Sequence, residues 1–322
     1  MNNLRKIGLS ALAGSLATFS ANAADMSVSG GASISFDDPN RGFSDRGNGF
    51  YMGDSLTFTA SGETDGGMGV AVSYELDGNQ GTGSYDDMSI TLSGDWGSLL
   101  FNGHGSSSAF AAMDDKTPNA YEEAWDVIDT NGATAGGTPT VINGGGGDNM
   151  FVYSTPSMGG AVAQLSYQNH GGADANESYT DFAITVTPDA VEGLTIGFAN
   201  ADNTVGANRD QDETTYYATY AMGAITVGVQ ASDLDDTTAN SDLESIAYGI
   251  SYAVNDDFSI GYSYHELETE VTTDQDQEST GVSASYTTGG MTLAGAMNEV
   301  DNMGGTAATD REGYEFTLSF AF

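Results

Sequence analysis

The chain of 322 residues has no cysteine. Without a disulfide framework, an exported protein must close its fold by other means. Positive charge is nearly as scarce: Lys and Arg number 7 against 46 Asp and Glu, for a formal net charge of −39. Affinity for nucleic acid comes largely from Lys and Arg on phosphates, so no nucleic-acid partner is expected. Long hydrophobic runs are missing as well. The apolar run from Ile7 to Phe19 is shorter than the roughly 20 residues of a spanning helix. It follows Arg5 and Lys6 and precedes Ala21-Asn22-Ala23, the pattern of a secretory signal peptide over residues 1–23 with cleavage near Ala23. Equipment for catalysis is thin. The chain has His104, His170 and His265, no G-x-S-x-G elbow and no Lys-bearing phosphate loop, so no enzyme is expected. His170 and His265 read as solvated residues at strand ends.

What the chain does have is alternation. From Met26 to Phe322, short segments with apolar residues at every second position are separated by turn-forming residues, the primary signal of β-strands. Met26, Val28, Ala32, Ile34 and Phe36 open the series, and Tyr314, Phe316, Leu318, Phe320 and Phe322 close it. Sixteen strands are expected in one domain over residues 24–322. The connections read as alternating long and short without exception, the long ones acidic and the short ones built from Gly, Asn, Asp or Pro. Asp54, Asp202, Asp210 and Asp212, then Asp233, Asp235 and Asp236, and Glu266, Glu268 and Glu270, are placed in long loops. Long loops at one rim and short turns at the other describe an outer-membrane barrel, whereas the Greek-key connections of a sandwich have no reason to sort this way. The second strand face is mostly Ser, Thr, Gly, Gln and Asn. Lipid outside and water inside satisfy both faces. Tyr74, Tyr85, Tyr153, Tyr167, Tyr179, Tyr220, Tyr252, Tyr264 and Tyr286 sit toward strand ends and suit interfacial girdles. The fold class is therefore all-β, a 16-stranded antiparallel transmembrane β-barrel with an inward-folded constriction loop, surrounded by outer-membrane lipid.

That loop is the one long interruption, from Gly105 to Gly147. Loops of such length are uncommon in compact domains and are usually functional or disordered. It carries Asp114, Asp115, Glu122, Glu123, Asp126 and Asp129 against the single Lys116 and ends in a glycine run, Gly144 to Gly147, read as flexible. One reading folds it into the lumen as an acidic waist; the other leaves it as an exposed acidic loop. Tyr121 and Trp125 read as anchors to the inner wall, with a stacking patch for a sugar as the alternative.

Three stretches resemble Gram-negative general diffusion porins, and the resemblance spans the chain after residue 23. The last strand, Tyr314 to Phe322, ends in an aromatic and is similar to the signal that barrel-assembly machinery reads in that family, with Phe322 as the terminal residue. Asn149 to Gly160 resembles the porin pattern of strand, Tyr, Ser/Pro turn and Gly. The loop after the fifth strand sits where the family's constriction loop sits. Asp25 to Phe36 resembles porins of α-proteobacterial type. The family implies a homotrimer in contact with lipopolysaccharide, passive diffusion of small hydrophilic solutes and ions, and an eyelet between loop acids and wall arginines. This chain departs from that eyelet. Val152 and His104 stand where relatives often carry a basic residue, and none of Arg41, Arg46, Lys116, Arg209 and Arg311 falls on an expected strand. His104 and Asn102 are assigned to the pore wall.

Acids without facing bases attract cations into a low-dielectric neck, so a cation-selective pore is expected, with selectivity fading in mild acid as crowded carboxylates protonate. A solute-specific channel, for sugars as an example, and a non-conducting structural or adhesive barrel remain alternatives. No cofactor is required. Asp274, Asp276 and Glu278, at alternate positions, could offer oxygens to Ca²⁺, against a reading as a solvated acidic loop.

Overall fold

The structure, a computed structural model, describes residues 25–37, 49–77, 86–105, 107–126, 140–169, 178–204, 209–270 and 275–322. The signal-peptide segment with Arg5 and Lys6, and Arg41, Arg46, Tyr85, Asp129, His170 and Asp274, lie outside the described residues. Sixteen strands run in chain order, from β1 (Asp25–Asp37) and β2 (Phe50–Glu63) to β15 (Met291–Asp301) and β16 (Arg311–Ala321). Each pairs antiparallel with its sequence neighbours, and β1 pairs with β16 to close the barrel. Closure leaves no strand edge, the requirement for spanning a membrane with strands. Among the described residues no helix is long and apolar enough to cross one. The seam brings Gly31 opposite Ala321, and the Phe322 and Gly30 backbones exchange hydrogen bonds of 3.0 and 2.8 Å.

Alternation sets the two faces. Ile34, Phe58, Val72, Ile90, Phe198, Ile250 and Phe316 point outward and are exposed. The inward positions of β1 to β4 (Met88–Gly94) are largely hydroxylated, including Ser33, Thr57, Ser73 and Thr91. Tyr179 breaks the girdle assignment. It lies inward on β8 (Ser178–Val186), 2% exposed.

The contrast between long and short connections is weaker than the sequence suggests. The connection 205–209 is shorter than the turn 187–193 at the opposite rim, because β9 (Leu194–Thr204) and β10 (Asp210–Met222) run on through acids read as loop. The same holds for β11 (Ile225–Asp236), β12 (Leu243–Ala253), β13 (Phe258–Thr269) and β14 (Gln277–Thr288). Asp54 lies inside β2, and Arg311 opens β16, so one cation does stand on a strand.

These extensions place acid opposite acid on the outward face. Asp212 pairs with both Asp202 and Asp235. Glu244 pairs with both Asp233 and Glu268, and Glu278 with both Glu266 and Asp301. Glu299 stands opposite Glu312. An acidic ladder thus crowns the apolar belt from β9 to β16.

The candidate pore site

The loop 105–149 leaves β5 (Gly97–His104) and returns to β6 (Met150–Ser154). Its two ends meet, with Ser107 bridged to Gly146. Its first half is held by a small buried core. Phe110 is 0% exposed and packs in one cluster with Ala109, Met113, Ile142 and Met150 and with Tyr179, Ala199 and Leu267 of the wall. A single inward carboxylate, Asp181 on β8, organises the polar contacts there. It accepts hydrogen bonds from the Phe110 amide at 2.7 Å, the Tyr179 hydroxyl at 3.0 Å and the Ser166 amide at 2.9 Å. Glu213 on β10 accepts from the Gly144 amide at 2.9 Å. The glycine run is therefore packed. A Cβ on Gly144 would strike the Phe110 ring, and one on Gly145 would strike Tyr179.

Past a 3-10 turn at Ala111–Met113, Gln230 of β11 clamps the chain at two points. Its side chain donates to the Met113 carbonyl at 2.6 Å and accepts from the Lys116 amide at 2.9 Å. The segment 118–124 then runs over glycines on consecutive strands. Gly228 and Gly249 lie under Pro118, Gly261 under Asn119 and Ala120, and Gly281 under Ala124. A Cβ at Gly228 would come within 2.5 Å of Pro118 Cδ, and at Gly261 within 2.6 Å of the Ala120 nitrogen. Glycine inside a strand often marks such close approach of another backbone. The seat is finished by hydrogen bonds, from the Ala120 amide to Ser283 Oγ at 3.0 Å and from Asn298 Nδ2 to the Glu123 carbonyl at 2.5 Å. At the far end the Tyr121 hydroxyl reaches β16, donating to the Glu315 carboxylate and meeting Thr317 Oγ1 at 3.0 Å. Tyr51 donates to the same carboxylate at 2.5 Å.

Trp125 packs on His265, ring centroids 4.6 Å apart. His265 is not solvated: it faces inward within β13 and is 4% exposed. Its burial follows from strand parity, because Tyr262 and Tyr264 hold the outward phase.

Five of the six proposed loop acids are described, and they are brought together along one segment. Asp114, Glu122 and Glu123 are half-buried, while Asp115 and Asp126 keep accessible surface but are still surrounded by enough protein to be partly desolvated. Carboxylate oxygens of Glu122, Glu123 and Asp126 lie within 4.8 Å of one another. Burial, then the charge of Asp115, pushes the pKa of Asp114 up to about 7. Burial and the neighbouring Glu123 raise Asp115 to about 6, against the pull of Lys116. Burial raises Glu123 to about 7, and a hydrogen bond to Asp126 keeps the proton on Glu123. Glu122 and Asp126 are also raised, chiefly by burial. Water is a better solvent for carboxylates than this seat, so the group holds protons that isolated acids would release.

The two wall residues lie apart from this group. Asn102 is inward on β5 but 7% exposed, covered beside Met150. A β-bulge between Met88 and Ser89 pairs His104 with Met88 at the loop-side rim, where its Nδ1 meets the Asp86 carbonyl at 2.6 Å. Of the expected Ca²⁺ ligands, Asp276 groups with Glu266 and Glu268 within 4.8 Å, and Glu278 lies on β14. Asp181, Glu213, Gln230, Glu315 and the glycine seat were not anticipated from sequence. Their signal was a polar residue or glycine on the inward phase of an otherwise regular strand.

A closed sixteen-stranded barrel with an apolar exterior and a polar interior crossed by one long loop defines an outer-membrane channel. The family profile of the Gram-negative porins matches residues 8–287, and the chain belongs to that family. It is a channel protein, not an enzyme. Solved structures agree on the fold. The anion-selective porin from Comamonas acidovorans is 16% identical, with a TM-score of 0.67, over 93% of this chain and 100% of that one. The trimer form of OmpT, an outer membrane protein of Vibrio cholerae, is 11% identical with a TM-score of 0.70, over 94% of this chain and 100% of that one. A mutant of the Rh. blastica porin is 14% identical with a TM-score of 0.62, over 92% and 100% respectively. No curated protein sequence matches the chain.

Proposed function

We propose that this outer-membrane porin is a cation-selective pore for small hydrophilic solutes and ions, with Asp114, Asp115, Glu122, Glu123, Asp126 and Asp129 as its acidic constriction. The observation that carries this reading is the excess of acid over base facing the lumen. The loop contributes its acids, and the inward phase of β1 to β4 carries Ser, Thr and Gly with Asp37, Glu63, Glu75 and Asp77, and no Lys or Arg. Among the described residues three cations stand against these acids, and only Lys116 is beside them. Lys116 belongs to the loop itself, Arg209 is paired with Asp236 at 2.6 Å, and Arg311 lies at the first position of β16. Negative charge in a neck with low-dielectric walls concentrates cations. A sugar-specific slide is disfavoured because Tyr121 is tied to β16 and Trp125 is packed on His265.

Export by a signal peptide over residues 1–23, with cleavage near Ala23, belongs to this reading. So does insertion guided by the strand that ends in Phe322, into lipid and lipopolysaccharide. The working unit is a homotrimer. Asp54 faces outward between Met52 and Leu56, opposite Ala32, and a carboxylate facing hydrocarbon is destabilising. A neighbouring protomer over β1 and β2 would shield it. Ca²⁺ at the rim is a second reading, favoured by the grouping of Glu266, Glu268 and Asp276, and chelation should then lower thermal stability.

Planar-bilayer recording under a KCl gradient tests the main reading. Stepwise conductance in triplets with a K⁺-favouring reversal potential supports it. Steps with anion preference overturn the constriction, and silence from folded protein overturns the pore.

A further inference from the structure

The last loop-side connection, 302–310 between β15 and β16, turns inward as well. It closes on itself: the Met303 amide donates to the Thr309 carbonyl at 3.0 Å, and Asn302 Oδ1 accepts from the Ala308 amide at 3.2 Å. Its tight turn, Met303–Gly305, lies on inward side chains of three strands. Met303 packs on Val300 of β15, and both are 0% exposed. The Gly304 amide donates to Gln277 of β14 at 2.9 Å. Gly305, at φ 73°, comes so near β13 that a Cβ there would lie within 2.5 Å of Thr269 Oγ1. The turn thus reaches two strands past its own, over the inner wall.

Gln277 is itself 0% exposed and serves two loops at once. Besides the Gly304 amide, its Oε1 accepts from the Thr140 amide at 3.0 Å, and its Nε2 donates to the Thr140 carbonyl at 3.0 Å. An amide oxygen has two lone pairs, and here each loop takes one. Thr140 belongs to the return arm of the loop 105–149. Two residues on, Ile142 packs in the cluster that holds Phe110 and Leu267, and Leu267 is the direct cross-strand partner of Gln277. Without this side chain, two amides and a carbonyl would be left unpaired at the wall, and they regain partners only if the arm lifts into water. We infer that Gln277 is a positioning residue that latches the connection 302–310 onto the return arm of the constriction loop, so that an outer loop helps to fix the pore aperture. The latch rests on reading 105–149 as the constriction and is independent of the sign of the pore's selectivity.

The test uses the full-length protein and follows the arm and the current separately. Thr140→Cys keeps both backbone bonds, and the chain has no cysteine of its own, so reaction with a membrane-impermeant maleimide reports release of the arm. Gln277→Leu should speed that reaction by at least about fivefold, the effect of one lost hydrogen bond on the open population, and should raise open-channel noise in planar bilayers. Met303→Ala leaves Gln277 in place but unseats the turn, and should act in the same direction to a smaller extent. Oxidising the pair Thr140→Cys and Gly304→Cys in the Gln277→Leu background should restore a quiet current. A Cβ on Gly304 would lie 3.8 Å from Thr140 Oγ1, a separation that a disulfide spans. Unchanged reaction in Gln277→Leu overturns the inference. So does a Met303→Ala protein as slow to react as the parent, because the outer loop then plays no part. Faster reaction with unaltered noise and conductance also overturns it, because the arm then has no bearing on the aperture. The constriction reading fails separately, if neutralising Asp114, Asp115, Glu122 and Glu123 leaves permeation unchanged.

Discussion

Asp114, Asp115 and Glu123 inside the barrel and Glu266, Glu278 and Glu299 outside it are the same chemistry in opposite surroundings. The inner acids ride on a loop fastened to the wall at Asp181, Gln230, Ser283, Asn298 and Glu315. Their backbone is fixed and their side chains are crowded and partly buried, so protons are retained near neutral pH. The outer acids sit on regular strands, face to face across the ladder, where their spacing is set by the sheet. Inside, charge is tuned by burial. Outside, it is a repulsion built into the register, borne by solvent ions and whatever the acids recruit. Position relative to the wall, rather than residue type, therefore separates the proposed selectivity element from a surface one.

The largest expected effect comes from undoing the inner fastening. Phe110→Ala removes a ring that is 0% exposed, and a loss of about 3–5 kcal/mol is typical of such a truncation. Because the ring pins the loop to the wall, single-channel traces should become noisy and the loop protease-sensitive. A quiet, resistant variant would break the contrast between an inner group that depends on its loop's fastening and an outer one held by the sheet. Neutralising Asp114, Asp115, Glu122 and Glu123 together should lower the K⁺ over Cl⁻ permeability ratio by about tenfold, the lower end of focusing by a charged cleft. Neutralising Glu266, Glu268 and Glu278 should leave that ratio nearly unchanged.

A third expected effect concerns the seat itself. Asp114, Asp115 and Glu123 have folded-state pKa values raised above their ordinary ones, so the native state holds more protons than the unfolded chain. Their contribution to stability is full below about pH 4 and is lost as pH rises through about 7. Hydrogen exchange at residues 107–126 should accelerate over that range, and the Asn/Gln variant should flatten the trend. The smallest effect is outside. Glu278→Gln relieves repulsion from Glu266 and Asp301 and should stabilise by about 0.2–1 kcal/mol at low ionic strength. The gain should fade in high salt, as read from thermal unfolding.

The barrel was legible in the chain because period-2 alternation of apolar residues is strong, and every expected strand finds a counterpart. Strand ends were less legible where the outward phase changes chemistry. Tyr262, Tyr264, Glu266 and Glu268 stay in phase on β13, yet the acids read as loop because they are not apolar. The loop was found by its length and its acids, and the structure seats its segment 118–124 on the inner wall. Its seat was not found. Gly228, Gly249, Gly261 and Gly281 are spread over four strands, and only the three-dimensional register aligns them under residues 118–124. His265 and Tyr179 were misplaced for a related reason. A polar or aromatic residue near a strand end looks interfacial unless its parity is counted from the apolar phase.

Partly protonated loop carboxylates are proposed to set the charge preference of the pore. The most direct test is the reversal potential across one bilayer held under a fixed KCl gradient while the pH is taken from 8 to 5. K⁺ preference should be present at pH 8 and decline steadily through pH 7 and 6, where Asp114, Glu123 and Asp115 titrate. A Cl⁻-favouring potential at pH 8, or a K⁺ preference indifferent to pH, would contradict that role of the carboxylates.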